Sequence, residues 1–345
     1  MTTTMIGLDL AKNVFQVHGI DASGEVTVRR QLRRSQVEPF FAKLAPCVVG
    51  MEACGGAHYW ARTLQRLGHE VRMMPAQYVK PYVKRNKTDS RDAEAICEAM
   101  SRPTMRFIKP KSEEAQAVLA MHRTRELLVR QRTMAANALR ATLAEFGIVA
   151  AQGNNGLRTL MQQLAAQTCP IPAAAQGALS LLARQWEQVD IAVRELERRI
   201  ARVAREQKDA RRLMEVPGVG PLGSTASLAK VPDVTTFRTA RDFAAWVGLA
   251  PRQNGSGGKQ RSGGISKQGD RTLRQLFIMG ARSHLNQVKR QGTDDPWLRA
   301  LMARRPAKVV VVALAAKIAR TVWALLKTGE RYRARDQRAV VAAAA

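Results

Sequence analysis

The first third of the chain alternates apolar and polar positions with the two-residue period of strands. Residues 5–21 read as two short strands, the second carrying Val14, Phe15 and Val17 after Lys12-Asn13. Gly24 turns the chain into a third strand, Glu25-Val26-Thr27-Val28-Arg29. Ser35 is the expected N-cap of a helix reaching about Leu44. The apolar run Cys47–Met51 reads as a fourth strand, Ala57–Leu67 as a helix stopped by Gly68, and His69–Met74 as a fifth strand. A further helix is expected to start at Asp89. After Pro110 the period changes to that of long helices, the first from Glu113 to Phe146. A softer segment, Gly147–Gly177, precedes the clearest repeat in the chain. There Leu179, Leu182, Trp186, Val189, Val193, Leu196, Ile200 and Val203 alternate in steps of three and four, the seam of a coiled coil. Two helices with a long connection suggest an antiparallel arm, closed within the chain or against a second subunit.

At Leu213 the pattern changes again. Leu213–Leu222 reads as a helix, a tight glycine turn and a helix start, a helix-hairpin-helix element. A further helical hairpin is expected through Phe237–Trp246, ending at Gly248. A glycine- and serine-rich stretch follows, and Leu273, Leu276, Phe277 and Gly280 mark an amphipathic helix after it. The late apolar run Val309–Leu326 contains Lys317 and Arg320, and reads as a core helix rather than a membrane span. The resulting plan is an α/β domain over 1–108, a helical coiled-coil region over 109–210, a mostly α-helical domain over 211–330 and a tail over 331–345. Three strands, then helix–strand–helix–strand and a helix, is the order of a ribonuclease H-like domain.

Candidate chemistry starts inside the first strand, Met5-Ile6-Gly7-Leu8-Asp9-Leu10, where one carboxylate interrupts an apolar run. A half-buried carboxylate needs a partner. Glu52 ends the fourth strand, and Asp89 and Asp92 stand three apart on one face of the next helix. Clustered carboxylates are most simply paired by a divalent cation, Mg²⁺ or Mn²⁺. Taken alone, Asp89 and Asp92 also fit as an N-cap and a first-turn acid favoured by the helix dipole.

Charge supplies the substrate class. Lys and Arg number 56 against 28 Asp and Glu, a formal net charge of +28 spread along the whole length. Such an excess favours a polyanion through counterion release, so the expected partner is nucleic acid. Lys84, Arg85, Lys87 and Arg91 flank the late pair of acids. Gly218 and Gly220 would let backbone N–H groups approach phosphate. Lys259, Arg261, Lys267, Arg271 and Arg274 surround the glycine-rich stretch, which reads as a phosphate-gripping loop. A serine there is a candidate nucleophile, and composition does not choose among Ser256, Ser262 and Ser266. The four cysteines show no metal-ligand spacing and the N-terminus lacks the plan of a signal peptide, so a reduced cytosolic compartment and no membrane are expected. Three functions compete: a recombinase using the acids and a serine, a metal nuclease activating water, and a non-catalytic nucleic-acid-binding protein.

Five segments carry a resemblance over residues 5–328: IGLDLAKNVFQVHGID, GMEACGGAHYWARTL, VKRNKTDSRDAEAI, PGVGPLGSTASLA and FAAWVGLAPRQNGSGGKQRSGGISKQGDRTLRQLF. Together they resemble transposases of the insertion-sequence-110 family, in its 1111 subgroup. The resemblance implies a RuvC-like N-terminal domain whose DEDD set is filled by Asp9, Glu52, Asp89 and Asp92. It implies a C-terminal transposase domain whose nucleophilic serine falls on Ser256, although Gly255 stands where many relatives carry a glutamine-like residue. It also implies a structured guide RNA encoded by the element and pairing with element ends and target DNA. It further implies dimers of the protein that assemble into a tetramer, acting in the bacterial cytosol at the nucleoid.

Overall fold

The computed structural model describes residues 2–83, 89–256 and 259–333, without the side chains of Asp89, Ser90, Asn254, Ser256, Lys259, Gln260 and Ser262. The chain divides into two compact units, Met1–Glu113 and Glu114–Ala345.

In the first unit, β1 (Met5–Asp9), β2 (Val14–Ile20) and β3 (Val26–Arg33) form an antiparallel meander. Helix α1 (Arg34–Phe41) leads to β4 (Val48–Glu52), then α2 (Ala57–Arg66), β5 (Glu70–Met74), the single turn α3 (Ala76–Val79) and α4 (Asp89–Met100). The sheet order is β3-β2-β1-β4-β5, with β1, β4 and β5 parallel. This mixed sheet flanked by helices is consistent with the ribonuclease H-like order expected above. Helix α1 starts one residue before Ser35. Its cap is Arg33, whose backbone N–H is taken by the Gln36 side chain at 2.8 Å, so Ser35 falls inside the first turn.

The pleat sorts the strand residues by parity. Ile6, Leu8, Val49 and Met51 pack with Phe15, Val37, Phe41, Trp60 and Leu64 in one buried cluster. The opposite face is covered by α4, where Ile96, Cys97 and Met100 are buried. Gly7 and Gly50 are register partners on that face. A Cβ on Gly7 would overlap the Ala93 carbonyl oxygen and stand 2.7 Å from the Cys97 nitrogen; one on Gly50 would stand 2.7 Å from Met100 Sδ. Helix α4 therefore lies directly on the backbone of β1 and β4, a close approach that glycine permits.

The second unit is built of helices α5 (Glu113–Ala144), α6 (Asn154–Ala165), α7 (Ala173–Glu206), α8 (Lys208–Met214), α9 (Pro221–Lys230), α10 (Ala240–Val247), α11 (Arg271–Gln291), α12 (Pro296–Arg304) and α13 (Ala307–Thr328). Between α10 and α11 lies a hairpin of β6 (Pro251–Ser256) and β7 (Lys259–Ile265). Helices α5 and α7 run antiparallel, their register fixed by ion pairs Arg125–Glu197 and Arg132–Asp190. Of the eight apolar seam positions on α7, Leu179, Trp186, Val193 and Ile200 are buried. Leu182, Val189, Leu196 and Val203 are half-buried. The inward stripe is rotated by one position, so that Ala183, Asp190 and Ala204 turn in and are buried instead. Asp190 forms ion pairs there with Arg132 and Arg194, each at 2.6 Å.

Helix α13 is long and apolar enough, by length and composition, to cross a membrane. In this fold Val310, Leu314, Ile318, Val322 and Trp323 pack it into the main cluster with Phe243, Leu273 and Phe277. Lys317 pairs with Asp295 at 2.6 Å and lies 4.3 Å from the Trp297 ring centre.

Candidate active site

Asp9 and Glu52 are the last residues of two adjacent parallel strands. Each stands two residues after a glycine, in Gly7-Leu8-Asp9 and Gly50-Met51-Glu52. The two-residue period puts both carboxylates on the face that α4 covers, at the carboxyl edge of the sheet. That edge is where open α/β sheets receive ligands. Both acids are half-buried. Asp92 is half-buried on α4, one residue before Ala93, which rests on Gly7. The side chain of Asp89, at the start of the same helix, lies outside the described residues.

A residue that pattern reading passed over reports on this edge. Cys54 follows Glu52 by two residues and is the one exposed cysteine of the four. Although the residue as a whole is exposed, partial desolvation by the protein around its thiol first, then the charges of Glu52 and Asp9, push the thiol above the ordinary value. Asp9 and Glu52 therefore act on one point in space. Among the described residues, no group of three or more His, Cys, Asp and Glu side chains gathers closely enough to enclose a metal ion. The donor set on this edge is carboxylate oxygen, the kind that hard divalent cations take.

The second stretch singled out above, the glycine-rich one, is not an open loop. It pairs antiparallel from Pro251 with Ile265 to Ser256 with Lys259. Ser256 is thus the last residue of β6, facing Lys259 across the hairpin. Two β runs separated by Gly257-Gly258 carry a hairpin signal, which the weight of glycine and serine obscured.

The expected binding residues divide by what they touch. Arg261, Lys267 and Arg271 are exposed. Lys267 holds a left-handed backbone at φ 57°. Arg274 donates through Nη1 to the backbone oxygens of Val247 and Gln268, at 2.9 and 3.0 Å, and acts as a strut for the hairpin's base. Gly218, at φ 88°, packs its backbone on Gly280: a Cβ there would stand 2.9 Å from the Gly280 oxygen. Gly220 is exposed and caps α9 with open space around it. Arg91 is half-buried on α4. Lys84, Arg85 and Lys87 lie outside the described residues, as does the side chain of Lys259.

Helix α9 is held from the side by His122, whose Nε2 lies 3.0 Å from Thr225 Oγ1. The Thr225 hydroxyl donates to the Pro221 oxygen at 2.7 Å, so it accepts from the imidazole. Burial, with Lys230 and Arg125 nearby, lowers the His122 pKa to about 4, leaving the ring neutral at physiological pH.

Two family models match this chain. Residues 6–148 match a family model for DEDD transposases of the IS110 type, and residues 210–300 match the Transposase IS116/IS110/IS902 family. A Pseudomonas aeruginosa protein named "Probable family 20 transposase" is 49% identical over 96% of this chain and 99% of its own. The transposase for insertion sequence element IS1111A of Coxiella burnetii is 40% identical, covering 95% of this chain and 91% of its own. The transposase for insertion sequence element IS1328 of Yersinia enterocolitica is 38% identical, covering 94% and 97%. With identity this high over nearly the full length of each partner, the chain belongs to the IS110/IS116/IS902 family of transposases, enzymes that cut and join DNA.

Proposed function

We propose that this transposase cuts and rejoins DNA at a centre made of Asp9, Glu52, Asp89 and Asp92 together with Ser256. The observation that carries the reading is the placement of Asp9 and Glu52 at the ends of adjacent strands, where both charges act on Cys54. A Mg²⁺ or Mn²⁺ ion held by the four acids would polarise the scissile phosphate and stabilise the oxygen that leaves. Ser256 Oγ attacks phosphorus, the bond to the leaving oxygen breaks, and that oxygen takes up a proton while the serine proton is lost. The phosphoserine link conserves the bond for rejoining. Lys259, the register partner of Ser256, and exposed Arg261, Lys267 and Arg271 supply cations beside the hairpin for phosphate.

The same reading takes residues 1–108 as the RuvC-like domain, 109–210 as a coiled-coil arm, 211–330 as the transposase domain with a helix-hairpin-helix element, and 331–345 as a tail. It includes an element-encoded guide RNA, dimers that assemble into tetramers, and action in the cytosol away from membranes. Half-buried Leu182, Val189, Leu196 and Val203, flanking the buried stripe of α7, support a second contact along the arm.

The test is a covalent adduct. Wild-type protein incubated with Mg²⁺ and DNA carrying an element end is expected to retain labelled DNA through denaturing electrophoresis, and Ser256→Ala to retain none. DNA cut by wild type without any adduct would favour water as nucleophile. An adduct persisting in Ser256→Ala would move the role to another residue, Ser262 or Ser266 first.

Cys54 gives a second, activity-free test of the metal. Two of the three causes that raise its pKa are the carboxylates of Glu52 and Asp9. A cation that neutralises them lowers the pKa, and the thiolate is the reactive form. Iodoacetamide labelling of Cys54 near pH 8, followed by mass spectrometry, is therefore expected to speed up on adding Mg²⁺. In Asp9→Asn the metal-free rate should rise and the response to Mg²⁺ shrink. Identical rates with and without Mg²⁺ would count against the site.

A further inference from the structure

The edge of the sheet that carries Asp9 and Glu52 also carries a cleft of about 810 Å³ whose residues have no part in the reading above. Strand β2 runs antiparallel to β1, so its start lies at the end where β1 finishes. Asp9 pairs with Gln16, and Val14, two residues earlier, pairs with Arg33. The cleft is lined by Val14 there, by Arg33 and Arg34 where β3 passes into α1, and by Tyr59 and Trp60 in the first turn of α2. Helix α2 is the one that follows Glu52.

These side chains form a supported platform. Trp60 is buried, edge-on to Phe15 at 5.1 Å, with the Arg34 guanidinium over its face at 5.2 Å. Arg34 Nη1 also donates to the Lys12 oxygen at 3.4 Å. Arg34 thus ties the loop after Asp9 to the helix after Glu52. Tyr59 stands edge-on to Trp60 at 5.2 Å and is 44% exposed, a ring held from behind and open in front. The lining carries two guanidinium groups against one carboxylate, Glu38.

An exposed ring that is already ordered costs little entropy to use as a contact. A ring beside guanidinium groups suits a nucleotide: the base offers its π-face to the ring and the phosphate takes the arginines. A base inside an intact duplex has no free face, so the ligand has an unstacked base. We propose that this cleft holds one unstacked nucleotide of the DNA strand next to the scissile phosphate, with Tyr59 as the base platform and Arg33 and Arg34 on its phosphate. The assignment rests on the reading of Asp9 and Glu52 as part of the cutting centre.

The test uses the full chain without metal, so that no cutting occurs. A single-stranded DNA oligonucleotide carrying 5-iododeoxyuridine is bound, irradiated and the adduct mapped by mass spectrometry. The expected adduct is on Tyr59. Tyr59→Ala should weaken binding of the strand about 5- to 150-fold, the range for losing one base–aromatic stack, and Tyr59→Phe should retain it. An abasic strand should bind wild type more weakly and erase the difference between wild type and Tyr59→Ala. Adducts mapped only to other residues, or an equal loss by Tyr59→Ala on intact and abasic strands, would overturn the proposal. If Asp9→Asn cuts DNA normally while the adduct still forms on Tyr59, the cutting-centre reading fails and the base platform stands.

Discussion

Asp9→Asn is expected to lower DNA cleavage and strand transfer by on the order of 10³-fold or more, the scale of several kcal/mol of lost transition-state stabilisation. The protein should still fold and bind DNA. Asp9 ends β1 beside Glu52 at the end of β4, on the face shared with α4. Neutralising one of two neighbouring carboxylates removes repulsion, so thermal stability should hold or rise. The amide has nearly the shape of the acid, so the packing around Leu8 and Ala93 is undisturbed. DNA affinity in low salt should also hold, because a more positive chain is no worse a partner for phosphate. Asp92→Asn should behave in the same way. The measurement is recombination between two plasmids, read beside a melting curve and a DNA-binding isotherm. Normal recombination by both variants would remove the acids from the chemistry.

Gly7→Ala is expected to cost the first unit about 3 kcal/mol or more, at the upper end of overpacking penalties, although it adds a single methyl group. The new Cβ would overlap the Ala93 carbonyl oxygen and approach the Cys97 nitrogen at 2.7 Å. Both are backbone atoms of α4, which has no rotamer to change. The helix must lift off β1, taking Asp92 with it. Gly50→Ala is the matched control on the neighbouring strand. Its Cβ would meet Met100 Sδ at 2.7 Å, and a flexible thioether can move aside. That variant should lose only about 1 kcal/mol. Calorimetry of the full chains should show the transition of the first unit falling by about 10 °C or more for Gly7→Ala and much less for Gly50→Ala. Recombination should disappear in the former and persist in the latter. Equal melting of the two variants would mean that α4 does not rest on β1 as described.

Much of the first unit is legible in the sequence because its signals are local. A strand shows its period within five residues. Asp9 stands out because it ends an apolar run, and Glu52 because it closes another. The excess of cations needs no fold at all, since counterion release depends on charge along the chain. The same locality explains the errors. Ser35 has the chemistry of an N-cap, but Gln36 reaches back to the Arg33 N–H and starts the helix earlier. The glycine-rich stretch has the composition of a loop, while its pairing from Pro251–Ile265 to Ser256–Lys259 is a relation between residues up to fourteen apart.

What the chain alone determined is the strands and main helices of the first unit, the long helices of the second, the acids at strand ends and the polyanionic partner, all properties of short windows and of total charge; helix α6 and the β6–β7 hairpin were not among them. Which faces meet was decided only in three dimensions. On α7 both stripes share the three-four spacing, and the one that turns inward is set by Arg125 and Arg132 of α5, more than fifty residues away. Gly218, readable as a phosphate contact, is spent on Gly280 because two helical layers close there without room for a side chain. Gly7 and Gly50 carry no signal of their own in a strand pattern. Their meaning appears when a helix more than forty residues downstream settles on them and brings its acid toward the edge where Asp9 and Glu52 end. Period and charge are written along one dimension; burial of one face against another is a choice among partners, and the backbone makes it by packing.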